Sequence, residues 1–192
     1  MTMTDADVLT ALRDAGAILH GHFQLTSGRH SDTYVQCARV LEDPALTTRL
    51  AEAMAASVTG QRIDVVAAPA VGGIIIGFAV AQALGVKFIF SERQQGAMAF
   101  RRSFTIESGQ RVLVVEDVVT TGGSVAEVID LVHAAGGVAV AVTSIIDRGG
   151  AKAFNAEYVP LLQLEVESME PQNCPQCAAG AAIDSPGSRR LL

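Results

Sequence analysis

Val112 to Ser124 reads VLVVEDVVTTGGS, a stretch that joins an apolar strand, two adjacent acids, a turn rich in hydroxyls and glycine, and the start of a helix. The strand is apolar without alternation, as expected of a parallel strand covered on both faces. Thr120, Thr121 and Ser124 supply hydroxyl donors, and Gly122 and Gly123 let the backbone curl so that several N–H groups converge at a helix N-terminus. Unpaired donors and the positive end of the helix dipole make that turn a cradle for a phosphate group. Glu116 and Asp117 would repel a phosphate, so they need other partners. Vicinal ribose hydroxyls fit, and Mg²⁺ could be held in the same place.

Outward from this stretch the same alternation recurs. IDVVAAP (63–69) leads into GGIIIGFAVAQALG, then come VKFIF (86–90), RVLVVED, GGSVAEVIDLVHAAGG and VAVAVTSIID (138–147). Short apolar strands alternating with helices predict a doubly wound α/β core with a parallel sheet. Before it, residues 5–15 and 43–58 show helical spacing, the second opening on Asp43-Pro44 as N-cap and first turn. Between these helices a polar, hairpin-like insertion turns at Ser27-Gly28. After Gly149 a short helix and one more strand, YVPLLQLEV, are expected, followed by a loop-like tail from Glu170. The 192 residues predict one domain, with a core over about 41–165 and a small hood built from about 1–40 and the tail.

Composition narrows the function. A formal charge of −6 argues against a nucleic-acid-binding surface, which needs clustered Lys and Arg. The N-terminus lacks an apolar run of signal-peptide length and no stretch is long enough for a membrane helix, so a cytoplasmic protein is expected. Neither G-x-x-x-x-G-K nor G-x-G-x-x-G follows a strand, which sets ATP and NAD aside. Three cysteines make no disulfide framework. Cys174 and Cys177 form a C-x-x-C, but no second Cys pair completes four zinc ligands, so they read as reduced thiols, with zinc entertained only across a dimer interface. His20, His22, His30 and His133 show no ligand spacing, although His22 and His30 flank the polar insertion.

VLVVEDVVTTGGS resembles the phosphoribosyl-pyrophosphate signature of type I phosphoribosyltransferases: four apolar residues, two acids and T-x-G-[GT]-[ST]. Further segments resemble the orotate branch. FQLTSGRHSDTY (23–34) is similar to its F-x-L-x-S-G-x-x-S hood segment, APAVGGIIIG (68–77) to its G-P-A-x-x-G pyrophosphate loop, and IIDRGG (145–150) to its strand-end D-R. The resemblance implies a type I phosphoribosyltransferase fold, a homodimer, and Mg²⁺-dependent conversion of orotate and phosphoribosyl pyrophosphate to orotidine 5′-phosphate and pyrophosphate in pyrimidine biosynthesis. It implies that Glu116 and Asp117 hold the ribose hydroxyls, that Val118 to Ser124 surround the 5′-phosphate, and that Ala70, Val71, Gly72 and Gly73 receive pyrophosphate. Thr120 and Arg148 would bind orotate, the Arg148 guanidinium matching a carboxylate bidentately. A purine-specific relative or a regulator sensing phosphoribosyl pyrophosphate are the alternatives.

One departure bears on mechanism. Most of the family carries K-x-x-K-D-H-G in a mobile loop, whereas SERQQGAMAFRRSF (91–104) has Arg93, Arg101 and Arg102 and neither Lys nor His. It resembles a shorter-loop bacterial branch, as does the tail CPQCAAGAAIDSPGSR. Arginine stabilises charge but is no general acid near neutral pH, so Arg93 with Mg²⁺ is the expected support for the leaving pyrophosphate.

Overall fold

The computed structural model describes residues 3–25 and 27–186. Thr26 of the hood segment and residues 187–189 of the tail motif lie outside the described residues.

The chain opens with α1 (Asp5–Asp14), held at its start by a capping box in which the Thr4 and Asp7 side chains each bond the other's backbone N–H. A hairpin of β1 (Ile18–Gln24) and β2 (His30–Val35) follows as a separate two-stranded antiparallel sheet. After the single turn α2 (Ala38–Leu41) comes α3 (Pro44–Ser57), capped as expected by the Asp43 carboxylate on the N–H groups of Ala45 and Leu46.

The main sheet comprises β3 (Val65–Pro69), β4 (Lys87–Gln94), β5 (Ala97–Phe100), β6 (Arg111–Val119), β7 (Val138–Asp147) and β8 (Tyr158–Gln163), in the order β5-β4-β3-β6-β7-β8. All pairs are parallel except β4–β5. Helix α4 (Gly73–Leu84) links β3 to β4, and α5 (Gly123–Ala134) links β6 to β7. Both faces of the sheet are covered. Val66, Leu113 and Val115 pack with α1, α3 and α4, while Val65, Ala67, Val112 and Val114 pack with α5. That two-sided burial is why these strands read as unbroken apolar runs.

Two expectations are corrected. The segment 91–104, expected as a shortened loop, is largely a hairpin: β4 runs on to Gln94 and pairs antiparallel with β5 through a turn at Gln95 and Gly96, both with positive φ. Asn-Gly or Asp-Gly announces such a turn in sequence, and Gln-Gly does not. Helix α1, placed with the hood, buries Val8 and Leu12 in the same cluster as Leu50, Met54 and Leu113, so it is part of the core.

The hood is therefore the β1–β2 hairpin and the tail that wraps it. Backbone bonds join His30 to Met169 in both directions, Gln24 N–H to the Asp184 carbonyl, and Asp184 N–H to the His22 carbonyl. The tail contains one further short helix, α6 (Pro175–Ala178).

Candidate functional site

The chain leaves β3 toward β4 on one side and returns to β6 on the other, so the carboxyl ends of β3 and β6 flank a topological switch point, where open α/β sheets bind ligands. The loops predicted for pyrophosphate and phosphate follow these two strands. They touch. A Cβ built on Gly72 would lie 2.8 Å from both carboxylate oxygens of Asp117, and one on Gly73 would lie 3.1 Å from Glu116 Oε1 and from the Val115 carbonyl. Hydrogen at these positions lets the loop after β3 sit against the acids of β6 without displacing their carboxylates. Val71 beside them is 81% exposed, which leaves this loop open to solvent.

Glu116 and Asp117 differ in their surroundings. Asp117 Oδ1 accepts from Val118 N–H at 2.8 Å, and Glu116 Oε1 accepts from Asp117 N–H at 3.1 Å. Burial, then the neighbouring charge of Asp117 and a hydrogen bond with its side chain, push the Glu116 carboxyl well above its ordinary value. Beyond them Glu116 and residues 118–125 line a small pocket at the start of α5. Thr120, Thr121 and Gly123 are exposed on its rim, and Gly122 enters the helix with φ 75°. The first-turn N–H groups of α5 have no carbonyl available within the helix and face this pocket.

Arg148 is locked to the same loop. Its N–H donates to the Val119 carbonyl at 2.8 Å, and the Asp147 carboxylate accepts from Gly149 and Gly150 N–H at 2.9 and 3.0 Å. A Cβ on Gly122 would come within 2.4 Å of the Gly150 carbonyl, so the two loops interlock. The Arg148 guanidinium is half-buried and its Nε is buried with no hydrogen-bond partner. Burial lowers its pKa, while the charges of Tyr34 on β2 and of Cys37 act to raise it. Tyr34, whose own pKa burial raises, was not singled out from sequence; it ends the hood motif, and only the fold brings it within electrostatic range of Arg148.

Arg93 is engaged elsewhere. Its fork meets Glu127 of α5 at 2.8 and 3.2 Å, and it also donates to the Gly96 carbonyl. Arg101 and Arg102 both pair with Glu92.

With that geometry in view, similarity to known proteins is specific. The phosphoribosyl transferase domain family matches residues 38–167. The orotate phosphoribosyltransferase of Chlorobium phaeobacteroides (strain BS1) is 48% identical over 190 residues, covering 98% of each chain. The chain belongs to the orotate phosphoribosyltransferase family. Another member, from Heliobacterium modesticaldum, is 48% identical over 97% of this chain and 100% of its own. Among solved structures, the orotate phosphoribosyltransferase of Aeropyrum pernix superposes with a TM-score of 0.72 at 27% identity over 82% of this chain and 93% of its own. An adenine phosphoribosyltransferase from Thermoanaerobacter pseudethanolicus, TM-score 0.62 at 23% identity over 69% of this chain and 88% of its own, shares the fold. The family's fold, a mostly parallel sheet between helices, is the one observed here.

Four side chains outside this site also meet. His22, His30, Cys174 and Cys177 place their side-chain heteroatoms within 4.8 Å of one another, so the expectation that the Cys pair lacks further ligands within the chain is overturned. The completing residues are histidines some 150 positions upstream, a separation that spacing rules do not read.

Proposed function

We propose that this chain is a Mg²⁺-dependent orotate phosphoribosyltransferase that converts orotate and phosphoribosyl pyrophosphate to orotidine 5′-phosphate and pyrophosphate in pyrimidine biosynthesis. The observation that carries the choice of base is the buried, unpartnered Nε of Arg148, on the loop whose backbone is tied to Val119 beside the phosphate turn. A buried donor without a partner costs about 1–3 kcal/mol, and a planar carboxylated base seated against the guanidinium supplies the missing acceptor. A neutral purine offers no charge to meet it.

The rest of the site follows. Residues 120–124 hold the 5′-phosphate with hydroxyl and backbone donors, and Val118 and Val119 shape the approach. Asp117 and Glu116 accept from the ribose hydroxyls, while the N–H groups of Gly72 and Gly73 face the pyrophosphate, with Val71 beside them and Ala70 anchoring the loop through its N–H to the Ser91 carbonyl. Thr120 and Arg148 fix the base. As the bond from the anomeric carbon to pyrophosphate oxygen breaks and the bond to the base nitrogen forms, positive charge develops on the ribose, and the adjacent carboxylates stabilise it.

The donor set fits Mg²⁺: hard carboxylate oxygens, few in number, at an open edge where substrate oxygens complete the shell. Asp117 would hold it, and bound there it supplies charge neutralisation for the leaving group. Arg93 adds to that neutralisation after exchanging Glu127 for pyrophosphate. Both side chains of that ion pair are more than a third exposed, at 35% and 38%, so the pair is worth at most about 1 kcal/mol and yields to a multiply charged ligand.

A second copy of the chain is the proposed partner. Ile75 and Phe78, one turn apart on α4, are 53% and 58% exposed, and Val71 in the loop just before the helix is 81% exposed; together they form an apolar patch that a homodimer would cover. Among the described residues no helix is long and apolar enough to cross a membrane, and a cytoplasmic location agrees with that.

The test is loss of orotate absorbance on mixing purified protein with phosphoribosyl pyrophosphate and Mg²⁺, run beside adenine, hypoxanthine and xanthine. Consumption of orotate alone is expected. Turnover of a purine in its place would reassign the base, and tight phosphoribosyl pyrophosphate binding with no base consumed would make the chain a sensor.

A further inference from the structure

Among the described residues from 163 to 186, Cys174 is the only one buried. Leu164 and Val166, where the tail begins, pack half-buried against the main core, but beyond them the tail adds little apolar burial over the hairpin, and Phe23, buried on that hairpin, belongs to neither core cluster. Lobes without a hydrophobic core of their own need another staple. The residues gathered where tail and hairpin meet supply one.

We propose that His22, His30, Cys174 and Cys177 form a structural Zn²⁺ site that fastens the tail to the β1–β2 hairpin. His22 Nε2 lies 3.1 Å from His30 Nδ1, 3.4 Å from Cys174 Sγ and 3.5 Å from Cys177 Sγ, and Cys177 Sγ lies 3.2 Å from His30 Nδ1. With Zn–S about 2.3 Å and Zn–N about 2.0–2.1 Å, the edges of a tetrahedral Cys2His2 shell are roughly 3.3–3.8 Å. These four separations lie within a few tenths of an ångström of those edges, and all four heteroatoms lie within 4.8 Å of one another, so a modest contraction closes the shell.

The surroundings agree. His22 Nδ1 is 3.1 Å from the Ala181 carbonyl, to which it donates as N–H, so the lone pair on Nε2 points into the cluster. The β1–β2 register shifts between His20 and Phe23, and such a bulge re-aims a side chain, here His22 alongside His30. Cys174 and Cys177 bracket the turn of α6, and the Gln176 side chain anchors that turn to the Gly21 carbonyl. Two thiolates and two neutral imidazoles cancel the charge of a divalent cation, with two protons released on binding. Sulfur and imidazole select Zn²⁺ over the hard Mg²⁺ of the reaction, which takes oxygen ligands. All four positions are filled by protein, so this is a closed, non-catalytic centre.

The experiment measures metal in the full-length protein purified without chelator, by elemental analysis, and replaces it with Co²⁺ for optical spectra. One zinc per chain is expected, with thiolate-to-cobalt charge transfer and the intense visible bands of tetrahedral Co²⁺. Cys177→Ser, at an exposed ligand, abolishes both, whereas Cys37→Ala, in the core, keeps them. Stripping zinc from the unmodified chain should raise amide exchange at Gln24, His30, Met169 and Asp184 by about tenfold or more, leaving the β6–β7 ladder protected. A metal-free protein that takes up neither Zn²⁺ nor Co²⁺, or a Cys174–Cys177 disulfide in the purified chain, overturns the proposal. So does zinc retained by Cys177→Ser, or zinc loss that leaves those four amides unchanged.

Discussion

Replacing Arg148 with Ala separates its two parts. Its backbone N–H, which ties it to Val119, survives in Ala, so the interlock of Gly150 with Gly122 is kept. The guanidinium is lost, and with it a half-buried cation whose Nε has no partner in the free protein. Removing an unsatisfied donor recovers about 1–3 kcal/mol, while losing the packing of the stem costs a comparable amount, so stability should stay within about 1 kcal/mol. For a chain of this size that is a melting shift of roughly 2–4 °C at most. Activity behaves differently. A buried, hydrogen-bonded charge pair with the substrate is worth about 2–5 kcal/mol. Taking about 3–4 kcal/mol, kcat/KM for orotate falls roughly 150- to 900-fold. Phosphoribosyl pyrophosphate binding, measured by calorimetry, should change less than about twofold, since the phosphate donors are untouched. Arg148→Lys keeps the charge but loses the planar fork, and falls between the two. A folded Arg148→Ala enzyme with orotate kcat/KM near wild type would refute the reasoning. A parallel loss of phosphoribosyl pyrophosphate affinity would refute it equally, by showing that the side chain serves the phosphate loop and not the base.

Other perturbations probe the acids and the glycines. Gly72→Ala keeps an allowed backbone (φ −57°) but pushes a methyl group to 2.8 Å from both Asp117 oxygens, so turnover should drop by about a hundredfold at nearly constant melting temperature; normal turnover would mean that Asp117 is not where catalysis needs it. Glu116 binds its proton more tightly folded than unfolded, so its contribution is present below the ordinary value of 4.5 and is lost as pH rises through the elevated folded value. Denaturant midpoints of Glu116→Gln across that range should therefore fall less with pH than wild type, by up to about 1 kcal/mol per pH unit; parallel curves would contradict the assigned shift. Glu127→Gln should free Arg93 and lower the KM for phosphoribosyl pyrophosphate about two- to fivefold, with Arg93→Ala raising it, and an unchanged KM in both would remove Arg93 from the mechanism.

What could be read before folding was what lies close along the chain. Parallel strands buried on two faces leave unbroken apolar runs, so β3, β6 and β7 were legible, and Asp43 before Pro44 announced α3. The phosphate loop was legible because strand, acids, turn and helix start are contiguous from Val112 to Ser124. The β4–β5 hairpin was missed because its turn lacks the usual Asn or Asp at positive φ and the end of β4 carries the charged residues Glu92 and Arg93. That Gly72 faces Asp117 depends on strand order, which no local pattern encodes.

The same physics explains why the two polar sites differ in legibility. A phosphate is held by backbone N–H groups, and a chain exposes several of them at once only at a helix start, so the residues that do it must be neighbours. A tetrahedral metal shell asks only that four heteroatoms come within a few ångströms, whatever path the backbone takes between them. One half here, Cys174 and Cys177, is local and visible; the other arrives on a hairpin, with His22 and Cys177 155 residues apart. Reading C-x-x-C alone therefore underestimates how often its missing half is supplied by the fold. The economical place for that half is where a tail with a single buried residue among those described must be held against a hairpin. Without a metal the four groups hold together only through the weak hydrogen bonds of two thiols with two imidazoles, whereas a bound cation, displacing the two thiol protons, meets a lone pair from every one of them.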